Sequence, residues 1–202
     1  MSTAVLVTAV VVGLIVVLWY FAAYNDFVRL RNLVAESWKQ IDVELQRRHD
    51  LVPNVVATVE RAAAFERGTL EAVIEARNRA RALTGAAKPT GTAVFAVASA
   101  ENALTTELRR VQALSEEYPE LGAVRNYAAL QRELADIEDR IAASRRLYNA
   151  NVRALNTKVE SAPAMLVASL HHVSAAEYFE LSGPQVRAVI DLDQLFSDRT
   201  GR

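Results

Sequence analysis

The densest group of residues able to do chemistry is Arg47-Arg48-His49-Asp50, with Asn54 one helical turn further on. An imidazole beside a carboxylate can move a proton, and paired guanidiniums can hold an anion. Leu45 and Val52 lie seven residues apart, two turns of one helix face, and Arg48 falls between them at a three-plus-four step. Arg48 or His49 is therefore expected on or beside a buried face. A guanidinium keeps its charge at any ordinary pH, so its burial demands a carboxylate. The expected partners are Glu133 and Glu138, in the helix predicted over 121–160. Two readings compete: a binding or proton-handling site, and an ion-pair network that holds helices together. The network is preferred, because structural networks gather charged groups as readily as reaction centres do.

The other polar groups carry less. His171 and His172 are adjacent, with Glu177 nearby, but adjacent side chains on a helix point about 100° apart, and neither histidine has a ligand-type residue four positions on. They read as polar surface histidines. Arg77, Arg79 and Arg81 form a basic run with Glu75 four residues before Arg79, the pattern of a solvated helix face. Cysteine is absent, which excludes thiolate zinc sites, iron–sulfur clusters and disulfides. No HExxH, Gly-rich phosphate loop or nucleophile elbow occurs. The expectation is no catalytic residue, no metal, no cofactor and no enzyme activity. With 23 basic and 24 acidic residues, the charge balance gives no case for nucleic acid.

The elements that position these residues are all helical in pattern. Ala, Leu, Glu and Arg abound, against 7 Gly and 5 Pro. Residues 4–23 carry no charge, and at a rise of 1.5 Å per residue they span about 30 Å, the thickness of a hydrocarbon core. Trp19, Tyr20 and Tyr24 cluster at the C-terminal end of this run, where amphipathic rings favour the headgroup level. No basic residue precedes the run, while Arg29, Arg31 and Lys39 follow it. The positive-inside rule then predicts a single-pass anchor in the plasma membrane, with the N-terminus outside and the rest cytoplasmic. Ala9 and Gly13 make one small-xxx-small pair, outweighed by the reading of an ordinary lipid-facing helix.

Beyond the anchor, Phe27, Leu30, Val34, Trp38, Ile41 and Leu45 form one apolar stripe. It resumes at Val52, Val55, Val56 and Val59 and continues through Leu70, Val73 and Ile74. Pro53 interrupts it, and Asp50 is placed to cap a helix starting there. Loops are predicted at 84–92 and at Tyr118-Pro119-Glu120-Leu121-Gly122, with Thr92 capping the helix between them. A long helix follows, with Leu130, Leu134, Ile137, Ile141, Tyr148, Val152, Leu155 and Val159 on one face. It breaks at 161–164, and a short helix is expected over about 164–181.

If the chain turns back near Asp50–Pro53, segments 25–50, 54–83, 92–117 and 121–160 make an elongated antiparallel up-and-down four-helix bundle. If the first helix only kinks there, its face from Phe27 to Leu45 would call for another chain. The bundle is preferred. The expected domains are an anchor at 1–24, a bundle at 25–182 and a loosely held tail at 183–202.

A family resemblance rests on these same residues. Tyr24-Asn25, Trp38, Gln40-Ile41-Asp42-Val43 and, most specifically, Arg47-Arg48-His49-Asp50-Leu51-Val52-Pro53-Asn54 occur in order. Ala76-Arg77, Tyr118-Pro119, Leu130-Gln131, Glu133-Leu134, Glu138, Arg140-Ile141-Ala142, Arg145, Tyr148-Asn149 and Tyr178-Phe179-Glu180 follow. The chain resembles the LemA family of bacterial membrane proteins over about residues 20–180. It departs at Leu155-Asn156, where the family usually has Tyr-Asn, and at Ala162-Pro163, where it usually has an aromatic before Pro. The resemblance implies a helical bundle behind one membrane helix and supplies no catalytic residues. The expected function is a membrane-anchored interaction or scaffold protein. It would touch lipid through residues 4–23 and pair with its own copies or a membrane protein. The alternatives are an adaptor of a membrane protease or quality-control system and, last, an enzyme using His49 and Asp50.

Overall fold

A computed structural model describes residues 2–62, 67–85, 92–117 and 125–180. Among them are α1 (Ser2–Ala62), α2 (Arg67–Leu83), α3 (Thr92–Glu117), α4 (Arg125–Glu160) and α5 (Ala164–Leu170), with no strand. The expected tight connection at 118–122, most of the 84–92 loop and the 183–202 tail lie outside the described residues.

The predicted break at Asp50–Pro53 does not occur. α1 runs through Pro53 as one helix of 61 residues, about 90 Å long at the usual rise. Asp50 caps nothing; its carboxylate accepts a hydrogen bond from Gln46 Nε2 at 3.0 Å. A proline inside a helix lacks the N–H that should reach the carbonyl four residues back, which here is His49. Arg77 Nε of α2 donates to that same carbonyl oxygen at 2.9 Å. The orphaned acceptor is thus satisfied from a neighbouring helix, and α1 continues. Arg77 is half-buried in this role, which corrects the reading of 77–81 as a wholly solvated face; Arg79 does pair with Glu75 on the surface.

The antiparallel bundle forms nonetheless, because α1 supplies its first helix with residues beyond the anchor. The α1 stripe from Phe27 through Leu45 and from Val52 through Val59 is buried, as the spacing predicts. α2 returns along it, its end fixed where the Gly85 N–H reaches the Asp42 carboxylate at 2.9 Å. Gly85 adopts φ 81°, the left-handed geometry that ends helices and that glycine adopts without strain. α3 packs on α2. α4 runs antiparallel to α1: Glu138 meets Arg48, Asn151 meets Leu33 and Ser37, and Lys158 meets Asp26. Leu134, Ile137, Ile141, Tyr148, Val152 and Leu155 are buried, whereas Ile74 of α2 points outward.

α2 reaches down only to the level of Asp42, yet the face from Phe27 to Leu45 needs no second chain. α4 lies along it, and residues 173–180 cover the rest in an extended form. The helix expected over 164–181 therefore stops at Leu170, and His172 takes φ 50° where the chain changes course. An extended segment without a strand partner must find other partners for its backbone. Asn149 accepts from Phe179 N at 2.9 Å and donates to Phe179 O at 3.2 Å. Asn156 does the same for Ala176, at 2.8 and 2.9 Å. The registers match: seven helical residues rise about 10.5 Å, and three extended residues span about 10 Å. Between the clamps, Tyr148 donates its hydroxyl to Glu177 O at 2.9 Å. Burial, with Glu177 nearby, pushes that phenol up to about 12, so it stays a donor. Phe179 is seated edge-on against Trp38, ring centroids 5.6 Å apart.

The Pro53–Arg77 relationship is open to test by urea unfolding of the chain in mild detergent. Arg77→Met strands a buried carbonyl and should cost about 1–3 kcal/mol. In a Pro53→Ala background the restored amide can take the donor's place, so the same change should cost much less. Equal costs in both backgrounds would show that Arg77 does not substitute for the missing N–H.

Candidate functional site

Arg48 and His49 are consecutive on α1, so their side chains leave the helix about 100° apart. Both are completely buried. Arg48 Nη2 pairs with Glu101 of α3. Its Nη1 donates to Glu138 Oε1 of α4 at 2.5 Å and to Thr105 Oγ1 of α3 at 3.0 Å. Thr105 donates onward to the Glu101 carbonyl at 2.9 Å. His49 Nε2 faces Glu101 Oε1 at 2.7 Å, and because a carboxylate only accepts, that nitrogen carries the proton. Arg77 closes the set on the His49 carbonyl. One level of the bundle thus joins all four of its helices through polar contacts.

These contacts span a gap that backbone packing leaves. Among the described residues α1 packs on α2 and α4, and α2 packs on α3, but α3 approaches neither α1 nor α4 closely. Arg48 reaches across to both α3 and α4. Glu138 completes the network from a partly exposed position, whereas Glu101 is wholly enclosed.

The electrostatics follow from this enclosure. Burial acts against the Arg48 charge more strongly than any other single effect, yet Glu101 and Glu138 together raise its affinity for the proton above the ordinary value. Burial likewise pushes Glu101 up, but the His49 hydrogen bond and the Arg48 charge overcome it and hold the carboxyl below its ordinary 4.5. Two atoms, Arg48 Nε and His49 Nδ1, have no partner among the described residues.

Of the predicted site residues, Arg48, His49 and Glu138 come together. Glu133 does not contact Arg48; it stands exposed, five residues before Glu138 and so about 140° around α4 from it. Arg47, Asp50, Asn54 and Glu133 instead line an open groove of about 510 Å³ between α1 and α4, with Asp136 and Arg140. Arg47 is paired there with Glu44 at 2.9 Å. Sequence reasoning missed Glu101. The signal was present: Val94, Val97, Ala98 and Leu104 make an apolar stripe on α3, and Glu101 falls on it at three-residue steps from Ala98 and Leu104. His171 and His172 are exposed, as expected, though His171 is not idle: it packs 4.5 Å from the Tyr24 ring.

An enclosed Arg–Glu–His set offers a substrate no approach to His49 or Glu101. No group of three or more potential metal ligands occurs among the described residues.

The family model described as the LemA family matches residues 37–193, which includes every residue of this network. The chain belongs to the LemA family. It is 26% identical over 194 residues to the magnetosome protein MamQ 2 of Paramagnetospirillum magneticum, covering 87% of this chain and 71% of that one. It is 25% identical over 175 residues to the magnetosome protein MamQ of Magnetospirillum gryphiswaldense, covering 77% and 64% respectively. For this LemA-family chain, the Arg47–Asn54 motif acquires a division of labour: Arg48 and His49 face inward to join helices, Val52 enters the apolar core, and Arg47, Asp50, Leu51 and Asn54 line the groove.

The depressed Glu101 value sets a pH dependence. A carboxyl held below its unfolded value contributes stability fully above the ordinary carboxylate range and loses it as pH falls through its folded value. The thermal stability of the wild type should therefore decline as pH falls below about 4.5. Glu101→Gln should be less stable near neutrality and show a shallower acid limb. An unchanged acid limb would show that Glu101 is not the depressed group.

Proposed function

We propose that this LemA-family protein is a membrane-anchored interaction scaffold: one helix crosses the membrane and continues unbroken into a rigid bundle that presents its surface to partners. The observation that carries this reading is the continuity of α1. Its first part is long and apolar enough to cross a membrane, with a mean hydropathy of 2.7 and no burial inside the protein. Exposure is continuous from residue 2 to Trp19, and burial begins at Ala23. A flexible linker would decouple domain from membrane, whereas a continuous helix fixes their spacing.

Charge distribution favours a cytoplasmic bundle. Arg29 and Arg31 follow the span closely, and basic residues beside a span favour its cytoplasmic side. In this reading the partners are further copies of the chain or another membrane protein.

The chain has no cysteine, so single cysteines at Ser2 and at the exposed Thr106 report sidedness in intact cells. An impermeant thiol reagent should label position 2 and spare position 106 until the membrane is opened; the reverse pattern would overturn the orientation. Capture of the tagged chain in mild detergent should return it in a stoichiometric assembly. A lone monomer that turns over a substrate would contradict the scaffold reading.

A further inference from the structure

The α5 helix, AMLVASL, carries no charged residue. Val167 and Ala168 are buried against the rest of the protein, where α5 packs on α1 and α4. On its other side Met165, Leu166 and Leu170 are 49%, 67% and 65% exposed. A helix apolar on both sides belongs where both sides meet apolar surroundings, and the described residues supply only one.

Its height along α1 identifies the other. His171, which follows α5 directly, hydrogen-bonds the Tyr20 hydroxyl through Nε2 at 2.7 Å and packs on Tyr24. Pro163 and Ala164, at the start of α5, share a groove with Trp19, Ala22 and Lys158. The helix thus lies beside residues 19–26, where the exposed apolar run of α1 ends and its aromatic collar stands. The charges at this level are those of a headgroup region. Lys158 and Arg29 both pair with Asp26 and hold it below its ordinary 3.8, which leaves the trio with one net positive charge.

We propose that α5 is a second membrane contact, a foot whose Met165, Leu166 and Leu170 face lies in the headgroup–acyl boundary of the bilayer that α1 crosses. Apolar helix faces settle about 5–10 Å deep at that boundary. Three side chains are far too few for a stable protein interface, which takes about 800 Å² per partner, but they suffice to orient a protein already anchored. Anchor and foot together hold the bundle at a fixed attitude to the membrane. The inference rests on the reading that α1 spans the bilayer, and the test separates the two.

Single cysteines replace Leu166, Leu170, Ile15 in the span and Phe95, which is exposed on α3. Each full-length variant carries an environment-sensitive nitrobenzoxadiazole label in phosphatidylcholine–phosphatidylglycerol nanodiscs containing doxyl-labelled lipid. Labels at 166 and 170 should be quenched several-fold more than the label at 95, most strongly by doxyl groups near the headgroup, while the label at 15 responds to deep doxyl groups. Quenching at 166 and 170 no greater than at 95, with 15 still quenched, overturns the foot and leaves the span standing. A blue shift at 166 and 170 without lipid quenching also overturns it, in favour of protein covering α5. Absence of quenching at 15 removes the span and the foot together.

Discussion

Everything above the level of Asp42 depends on one buried guanidinium. Arg48 cannot shed its charge and cannot reach water, so it must be met by carboxylates. Those carboxylates come from the two helices that α1 does not hold to each other by backbone packing, Glu101 from α3 and Glu138 from α4. A buried ion pair is weak evidence of net stability, because desolvation offsets much of the attraction. What it supplies here is position. The α3–α4 side is tied by one charge that pairs with a carboxylate from each, and the His49–Glu101 hydrogen bond adds a second tie between α1 and α3.

The lower half of the molecule solves a different problem. α2 and α3 do not extend along the first turns of α1 beyond its exposed apolar run, so the apolar stripe from Phe27 to Trp38 would lie open. An extended segment fills the place of the missing helices, and two asparagines spaced by two helical turns supply the hydrogen bonds a strand partner would have given. The upper level is closed by charge and the lower by amide pairing, both along a single α1 that runs from the apolar N-terminal segment into the bundle. Pro53, which would have ended that helix, is tolerated because Arg77 replaces the hydrogen bond it removes.

The helical periodicity made most of the fold legible. The apolar stripes of α1 and α4, the all-α class, the break at 161–164 and the inward face of Arg48 follow from three- and four-residue spacing alone. The continuity of α1 was hidden, because local rules say that proline ends a helix and the compensating donor lies 24 residues further along the chain, in α2. The extended form of 173–180 was hidden for the same kind of reason: its backbone partners are side chains of α4, and no local propensity announces them. Glu133 and Glu138 were both eligible partners for Arg48, and only the rotation of α4 about its axis decides for Glu138. Glu101 was readable in principle as a carboxylate on an apolar stripe.

The claim that Arg48 is held by its carboxylates is tested most directly by a double-mutant cycle on unfolding free energy, with Arg48→Met and Glu101→Gln made singly and together. Arg48→Met alone strands two carboxylates, one of them wholly enclosed, and should cost about 3–5 kcal/mol. Adding Glu101→Gln removes the enclosed charge and should recover most of that loss, giving a coupling of about 2 kcal/mol or more. Costs that simply add would contradict the account, because they would mean that the two groups do not depend on each other.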